Sequence, residues 1–198
     1  MATPLTTPRL LLRGWQSDDA PNALEIYRHP DVAQWLSPAM DPVHDLAGMR
    51  LLLQQWITED SLSEPPAGRW AIRRHIDGRV IGGAFLLPLP PGRQDLQIGW
   101  QLHPDVWGRG YATETTHALA GSAFTQDVDE VFAVVRPGNI RAEATAHRNG
   151  MGWVGITDKY FQMTLIVYRL RPADLDRTTQ QNQLPGAPAH EPSWGKDQ

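Results

Sequence analysis

Residues 107–112, WGRGYA, have the residue types and spacing of a loop that binds phosphate groups. An alternating strand, with Leu96, Ile98 and Trp100 on one face, leads into this segment, and a helical pattern follows it. Glycines let a backbone approach phosphates closely, and the unpaired N–H groups of a first helical turn sit at the positive end of the helix dipole. The order of strand, glycine loop and helix therefore predicts a site for a phosphate-bearing ligand.

Three interpretations of this loop compete. In the simplest one, Gly108 and Gly110 only turn the chain, as glycines do in many tight loops. The second is a dinucleotide fingerprint, G-x-G-x-x-G, but Thr113 occupies the place of the third glycine. The preceding strand also alternates in the way of an antiparallel sheet rather than a buried parallel one. The third interpretation, a pyrophosphate loop of another kind, depends on the rest of the chain.

Composition limits the classes of protein and partner. A chain of 198 residues with 41% hydrophobic residues and a mean hydropathy of -0.40 fits one soluble globular domain. No apolar run approaches the roughly 18 residues of a membrane span, and the N-terminus lacks a signal-peptide pattern. The absence of cysteine suits a cytoplasmic location. A net charge of -4 and a pI of about 5.9 argue against a nucleic-acid partner.

The remaining chain is predicted to alternate strands with helices. One helix follows Ser17, and a second is predicted from Asp41 and Pro42, a cap followed by a proline at the first helical position. A short helix is predicted over residues 140–149. Residues 173–198 are rich in Gln and Pro and poor in apolar residues, which predicts a disordered tail. Strands are predicted near residues 10–15, 69–74, 80–87, 96–101, 130–135, 153–157 and 162–170.

Residues 107–112 together with Glu114 resemble the pyrophosphate loop of the GCN5-related N-acetyltransferases (GNAT). The match is to the W-G-x-G-Y-A-x-E form of the ribosomal-protein-alanine (RimJ/RimL-like) branch. Three further segments resemble motifs of that branch and occur in the same order. Residues 7–13 resemble its T-x-R-L-x-L-R motif, and residues 98–100 resemble its I-G-Y/W motif. Residues 139–151 resemble its segment from N-x-x-S/A to G-M/F. The resemblance covers about residues 6–171, nearly everything but the predicted tail.

The resemblance implies a fold of the α/β class (α+β type). A single domain over residues 6–172 would contain a mixed, mostly antiparallel sheet of about seven strands flanked by helices. Family members separate a pair of neighbouring strands in this sheet so that a thioester can lie between them. Gly99 suits a bulge on one of these strands, and Pro137 ends pairing on the other. Dimers are common in this branch, so a homodimer is a possible assembly.

The resemblance further implies acetyl-coenzyme A as the acyl donor and an amine as the acceptor. Leu102 and His103 would run beside its pantetheine arm, Asn139 would contact that arm, and Arg148 would stand near the 3′-phosphate. Two alternatives stay open, because Asn139 also reads as a helix N-cap and Arg148 as a solvated surface charge. The backbone amides of residues 108–113 would hold the pyrophosphate. The cofactor-binding residues of this loop would be Trp107, Gly108, Arg109, Gly110, Tyr111, Ala112 and Thr113.

The proton carriers of relatives are missing from their usual places. Ala146 stands where many relatives have a tyrosine acid, Ala142 where this branch often has a serine, and Gln97 where a glutamate often precedes I-G-Y. No His, Asp and Glu group has metal-site spacing, so no metal is predicted. The remaining candidates for catalysis are Tyr160, His103 and His147, each of which also reads as a packing or surface residue, and His117 is a weaker one.

The missing base predicts the kind of amine that would react. Deprotonating a lysine-like amine at pH 7 costs about 4.6 kcal/mol, whereas an α-amine with a pKa of about 7.8 costs about 1 kcal/mol. An α-amine or another weakly basic amine is therefore the expected acceptor, and direct transfer is expected because the chain has no cysteine. The alternatives are another acyl group, such as succinyl, and a CoA-binding sensor without catalysis. The acceptor pocket is expected between the first two helices and residues 86–94, with Trp35, Trp56 and Trp70 as a possible aromatic wall.

Overall fold

The computed structural model describes residues 2–36, 40, 42–90 and 95–175, which form one eight-stranded sheet. The strand order is β1-β2-β3-β4-β5-β6-β8-β7, and every pair is antiparallel except β5 with β6. The strands are β1 (Leu5–Thr6), β2 (Leu10–Gly14), β3 (Gly68–Arg74), β4 (Val80–Pro88), β5 (Leu96–Leu102), β6 (Val131–Val135), β7 (Gly152–Thr157) and β8 (Leu165–Leu170).

Helices cover both faces of the sheet. Two short 3-10 turns, Ser17–Asp19 and Pro104–Val106, accompany them. The first and third helices pack on one face around Trp15, Met49 and Leu53, and the last two pack on the other. None of the helices among the described residues is long and apolar enough to cross a membrane. The helices are α1 (Ala20–Tyr27), α2 (Pro30–Ala33), α3 (Leu46–Leu62), α4 (Tyr111–Phe124) and α5 (Ile140–Arg148).

The predicted fold class is confirmed, with β1 added to the seven predicted strands. The predicted start of the second long helix is wrong. Pro42 is not helical, Asp41 lies outside the described residues, and α3 begins at Leu46. The reason is a better cap, because Asp45 has an extended backbone and its carboxylate accepts the N–H of Gly48 at 2.8 Å.

Strands β5 and β6 diverge soon after they meet. Their parallel pairing consists of Leu96 with Val131 and Gln97 with Phe132, after which β6 keeps only β8 as its neighbour. The predicted bulge at Gly99 is wrong, because the register of β4 with β5 is unbroken and Gly99 lies opposite Phe85. The opening in the sheet therefore comes from the divergence of β6 and not from an irregularity in β5.

The described chain continues past the last strand into the predicted tail. Residues 172–175 are helical, and the side chain of Leu175 packs against the main hydrophobic core. The rest of the predicted tail, residues 176–198, lies outside the described residues.

Candidate active site

A cleft of about 1880 Å³ lies at the point where β5 and β6 diverge. Its lining comes from both faces of the sheet. On one side it includes the loop before α4 and the facing sides of α4 and α5, and on the other it includes portions of α1 to α3 and of the β6–β8 region. The opening thus connects a surface that the sequence predicts to bind phosphates with a second surface across the sheet.

The glycine loop has the backbone conformation of an anion cradle. Gly108 and Gly110 have φ angles of 74° and 78°, which side-chain-bearing residues rarely adopt. Gly110 precedes α4, whose first backbone hydrogen bond runs from the N–H of Glu114 to the carbonyl of Gly110 at 3.0 Å. The N–H groups of residues 111–113 precede that bond and are free to donate to a ligand. A Cβ on Gly108 would meet nothing within 4 Å, so the loop presents open backbone that fits a pyrophosphate.

Glu114 joins this loop to the N-terminal segment. Its carboxylate accepts hydrogen bonds from the Thr7 hydroxyl at 2.6 Å, from the Arg9 backbone N–H at 3.0 Å and from Arg9 Nε at 2.6 Å. Arg9 also donates to the carbonyl of Arg109 at 2.9 Å and lies 4.6 Å from the ring centroid of Tyr111. This role of Thr7 and Arg9 was not predicted from the sequence, where its only signal is that T-x-R and the closing glutamate belong to the same resemblance.

Trp107 connects the end of β5 to α5. Its indole Nε1 donates to the carbonyl of Leu102 at 2.8 Å, and the guanidinium of Arg141 lies 4.4 Å from its ring centroid. Because β6 does not pair with β5 beyond Gln97, alternate backbone N–H groups of residues 98–102 face the cleft. These groups are placed to stabilise negative charge on an acyl oxygen.

Most of the predicted CoA-binding residues lie together around the cleft. Asn139 lines it and also caps α5, since its Oδ1 accepts the N–H of Ala142 at 3.2 Å, so the capping alternative is observed. Arg148 lines the cleft with an exposed side chain. The lining includes Leu102, Trp107, Gly108, Gly110, Tyr111, Ala112, Thr113, Asn139 and Arg148, but not Arg109 or His103.

The three candidate catalytic residues are not part of the cleft lining that the described residues provide, although each is next in the chain to a residue that is. Tyr160 is buried among Leu89, Leu165 and Val167. The histidines pack against other groups: His103 Nδ1 lies 2.7 Å from Asp105 Oδ1, and the His147 ring stands edge-on to Tyr168 at 5.3 Å.

His117 on α4 lines the cleft, as does His44 ahead of α3. Within the described residues Nε2 of His117 is buried without a hydrogen-bond partner, and burial lowers the pKa of His117. Ala146 is fully buried, whereas Ala142 and Gln97 line the cleft, and none of these three side chains is an acid or a base. No group of three or more His, Cys, Asp or Glu side chains in the described ranges is placed to hold a metal ion.

The chain matches the family described as Acetyltransferase (GNAT) domain over residues 9–152, which is more than half of its length. It therefore belongs to the GNAT family and is an acetyltransferase of that family. A relative from Bacillus licheniformis, the uncharacterized N-acetyltransferase p20, is 29% identical over 138 residues, covering 68% of this chain and 74% of the relative. The uncharacterized protein YkkB of Bacillus subtilis (strain 168) is 24% identical, covering 75% of this chain and 85% of the relative.

Solved structures share the same fold. One is a putative ribosomal-protein-serine acetyltransferase from Vibrio cholerae, with a TM-score of 0.75 and 19% identity, covering 87% of this chain and 100% of that one. Another is Mycobacterium smegmatis RimJ in complex with CoA-disulfide, with a TM-score of 0.72 and 18% identity, covering 91% of this chain and 93% of that one. At these identities the likeness shows the fold alone.

Proposed function

We propose that the protein transfers an acetyl group directly from acetyl-CoA to a primary amine, either the α-amine of a protein N-terminus or that of a small molecule. The observation that carries the proposal is the position of the glycine loop beside the diverging strands, since it provides a pyrophosphate cradle next to a gap for a thioester. The RimJ-like fold supports a place in the RimJ/RimL-like branch. A cytoplasmic location and a homodimer stay predictions from the sequence.

The transfer needs few groups from the protein. The amine nitrogen bonds to the thioester carbonyl carbon, the C–S bond breaks, the nitrogen loses a proton to water, and the sulfur leaves as a thiolate that takes up a proton. Backbone N–H groups of residues 98–102 would stabilise the acyl oxygen. Ala142, Ala146 and Gln97 provide no base, so amines with a pKa of about 7.8 are favoured over those with a pKa of about 10.4.

A second candidate is a CoA-binding sensor or interaction protein without catalysis. The observation that favours it is that Tyr160, His103 and His147 are not among the described residues that line the cleft, together with the absence of a base at positions 97, 142 and 146. A third possibility concerns only the donor, because a loop that holds the pyrophosphate does not distinguish acetyl from succinyl.

The experiment is incubation of the purified protein with acetyl-CoA or succinyl-CoA and a panel of α-amines and lysine-like amines. Released CoA can be followed with a thiol reagent, and the protein itself does not react with the reagent because it contains no cysteine. Turnover with acetyl-CoA and α-amines supports the proposal. CoA binding in calorimetry without turnover supports the sensor, and no CoA binding contradicts both. Activity only on lysine-like amines, with an inflection of the rate near pH 10, would contradict the expected α-amine.

A further inference from the structure

The sheet has a distinct surface on the side of the cleft opposite α4 and α5. Side chains of β5 alternate, so that Ile98 and Leu102 pack in the core beneath α4 and α5. The intervening residues of β5 face the other way, towards α1. Together with Phe85 of β4 they line the cleft, and we call this set the acceptor floor: Phe85, Gln97, Gly99 and Gln101.

Gly99 allows an aromatic ring to cover β5. Phe85 pairs with Gly99 in the sheet, and a Cβ on Gly99 would lie only 2.2 Å from Phe85 Cζ. The ring therefore occupies the place that any larger residue at position 99 would take. Because Phe85 is only half-buried and lines the cleft, its ring is available to a bound molecule. The far wall of the cleft is also apolar, with Val134, Phe161 and Met163.

A second glycine places a hydroxyl beside Gln101. Gly83 pairs with Gln101, and a Cβ on Gly83 would lie 2.3 Å from the hydroxyl oxygen of Tyr27. That hydroxyl donates to Gln101 Oε1 at 3.3 Å. Burial raises the pKa of Tyr27, so the hydroxyl keeps its proton. With its Oε1 engaged, the donor that Gln101 retains is its side-chain NH₂ group.

The two strands that form the floor, and β6 beside them, carry no ionisable side chain. Residues 80–88, 96–102 and 131–135 contain no Asp, Glu, His, Lys, Arg or Tyr. The carboxylates of the lining on this side belong to the helical segments and not to the floor: Asp31, Asp45 and Glu59. Glu59 lies 2.7 Å from Arg69, and Asp45 caps α3. A strongly basic amine would enter this region as a cation with no carboxylate on the floor to receive it.

We infer that the acceptor is an aromatic α-amino acyl compound, in which a free α-amine stands next to a carbonyl and a flat apolar side chain. The side chain packs against Phe85, the carbonyl accepts from the NH₂ of Gln101, and the weakly basic α-amine reacts without a carboxylate base. This inference rests on the proposed function. It specifies the chemical features of the acceptor that the protein recognises.

The test compares phenylalaninamide, alaninamide and phenethylamine as acceptors, all with acetyl-CoA. The first has all three features, the second lacks the ring and the third lacks the carbonyl. We expect the wild-type protein to prefer phenylalaninamide in kcat/KM over each of the others by at least about tenfold, the range of one well-filled apolar pocket or one hydrogen bond. Equal kcat/KM values for the three amines, with turnover intact, would overturn the inference and leave the proposed function standing. No turnover with any amine contradicts the proposed function itself.

Two variants assign the preference to particular residues. Phe85→Leu keeps an apolar side chain without the ring and is expected to lower the preference for phenylalaninamide over alaninamide. Gln101→Met keeps the length without the amide and is expected to raise KM for phenylalaninamide but not for phenethylamine. Both variants should bind CoA as the wild type does, and Ile76→Ala, an exposed change in the β3–β4 turn, serves as the control. A preference that survives both substitutions contradicts the assignment, and the wild-type comparison remains decisive if a variant does not fold.

Discussion

Arg9 Nε lies 2.6 Å from Glu114 Oε2, although 105 positions separate the two residues in the chain. This ion pair fixes the first turn of α4 against the segment that leads into β2. Since Arg9 also donates to the carbonyl of Arg109, the same side chain holds both the loop and the helix that follows it. The N-terminal segment therefore shapes the predicted pyrophosphate site, even though it lies far from the loop in sequence.

Replacing Glu114 by Gln should weaken CoA binding more than it weakens the fold. The substitution keeps the shape but removes the charge that holds Arg9. Because Arg9 is 46% exposed, we expect the free energy of unfolding to fall by only about 1 kcal/mol. The affinity for CoA, measured by calorimetry, should fall several-fold as the loop loosens. Asp77→Asn, which removes the exposed partner of Arg74 in the β3–β4 turn, is the matched control. An equal effect of both substitutions on CoA affinity would contradict this role of Glu114.

Replacing Gly108 by Ala should disturb both the backbone and the ligand. A side chain at a φ of 74° costs about 1–2 kcal/mol, and its methyl group would stand where a pyrophosphate approaches the loop. CoA affinity is expected to fall by about tenfold, which corresponds to about 1.4 kcal/mol. Gly150, after α5, has the same φ of 74° and does not line the cleft. Gly150→Ala should therefore lower stability similarly in chemical unfolding while leaving CoA affinity unchanged.

Two substitutions at Asn139 separate its capping role from ligand contact. Asn139→Ser keeps an oxygen that can cap α5, so stability should stay within a few tenths of a kcal/mol of the wild type. Asn139→Ala removes the cap and should cost about 1 kcal/mol. If the amide also contacts the pantetheine arm, both variants should bind CoA more weakly. Wild-type affinity in Asn139→Ser would show that Asn139 is a cap and nothing more.

His117 should make stability depend on pH in mildly acidic solution. Burial lowers the pKa of His117 from its usual 6.5, so the unfolded chain binds this proton at a higher pH than the folded one. The contribution of neutral His117 to stability is therefore fully present above about pH 6.5, and it is lost as the pH drops through the lower, folded-state pKa. Chemical unfolding at several pH values in this window should show that the free energy of unfolding changes less with pH in His117→Gln than in the wild type. An identical pH dependence in both proteins would contradict the role of His117.

The sequence predicted the elements whose signals are local. The glycine loop and the short helix over residues 140–149 depend on neighbouring residues, and they occur close to where the pattern placed them. The start of α3 was harder to predict, because Asp41 followed by Pro42 and Asp45 followed by Leu46 are both acceptable caps. Only the contact of Asp45 with Gly48 distinguishes them.

The site was less predictable because its contacts join distant segments of the chain. No local pattern relates Arg9 to Glu114 or Tyr27 to Gln101. Gly99 illustrates the difficulty, since a glycine in a strand suggests a bulge, whereas here it makes room for the ring of Phe85. Such information resides in the register of neighbouring strands, which the sequence alone does not specify.

Only two residue pairs connect β5 with β6, so the eight-stranded sheet consists of two smaller sheets joined by this short contact. A donor lying in the gap would then act as a missing cross-strand partner, bonding to backbone that otherwise faces solvent. Coenzyme A would be a component of the architecture as well as a reactant. The alternate amide hydrogens of residues 98–102 that face the cleft should accordingly exchange with solvent more slowly once it is bound, whereas those of β3, paired on both sides, should hardly change. Equal slowing in both strands would point to a general tightening of the fold instead.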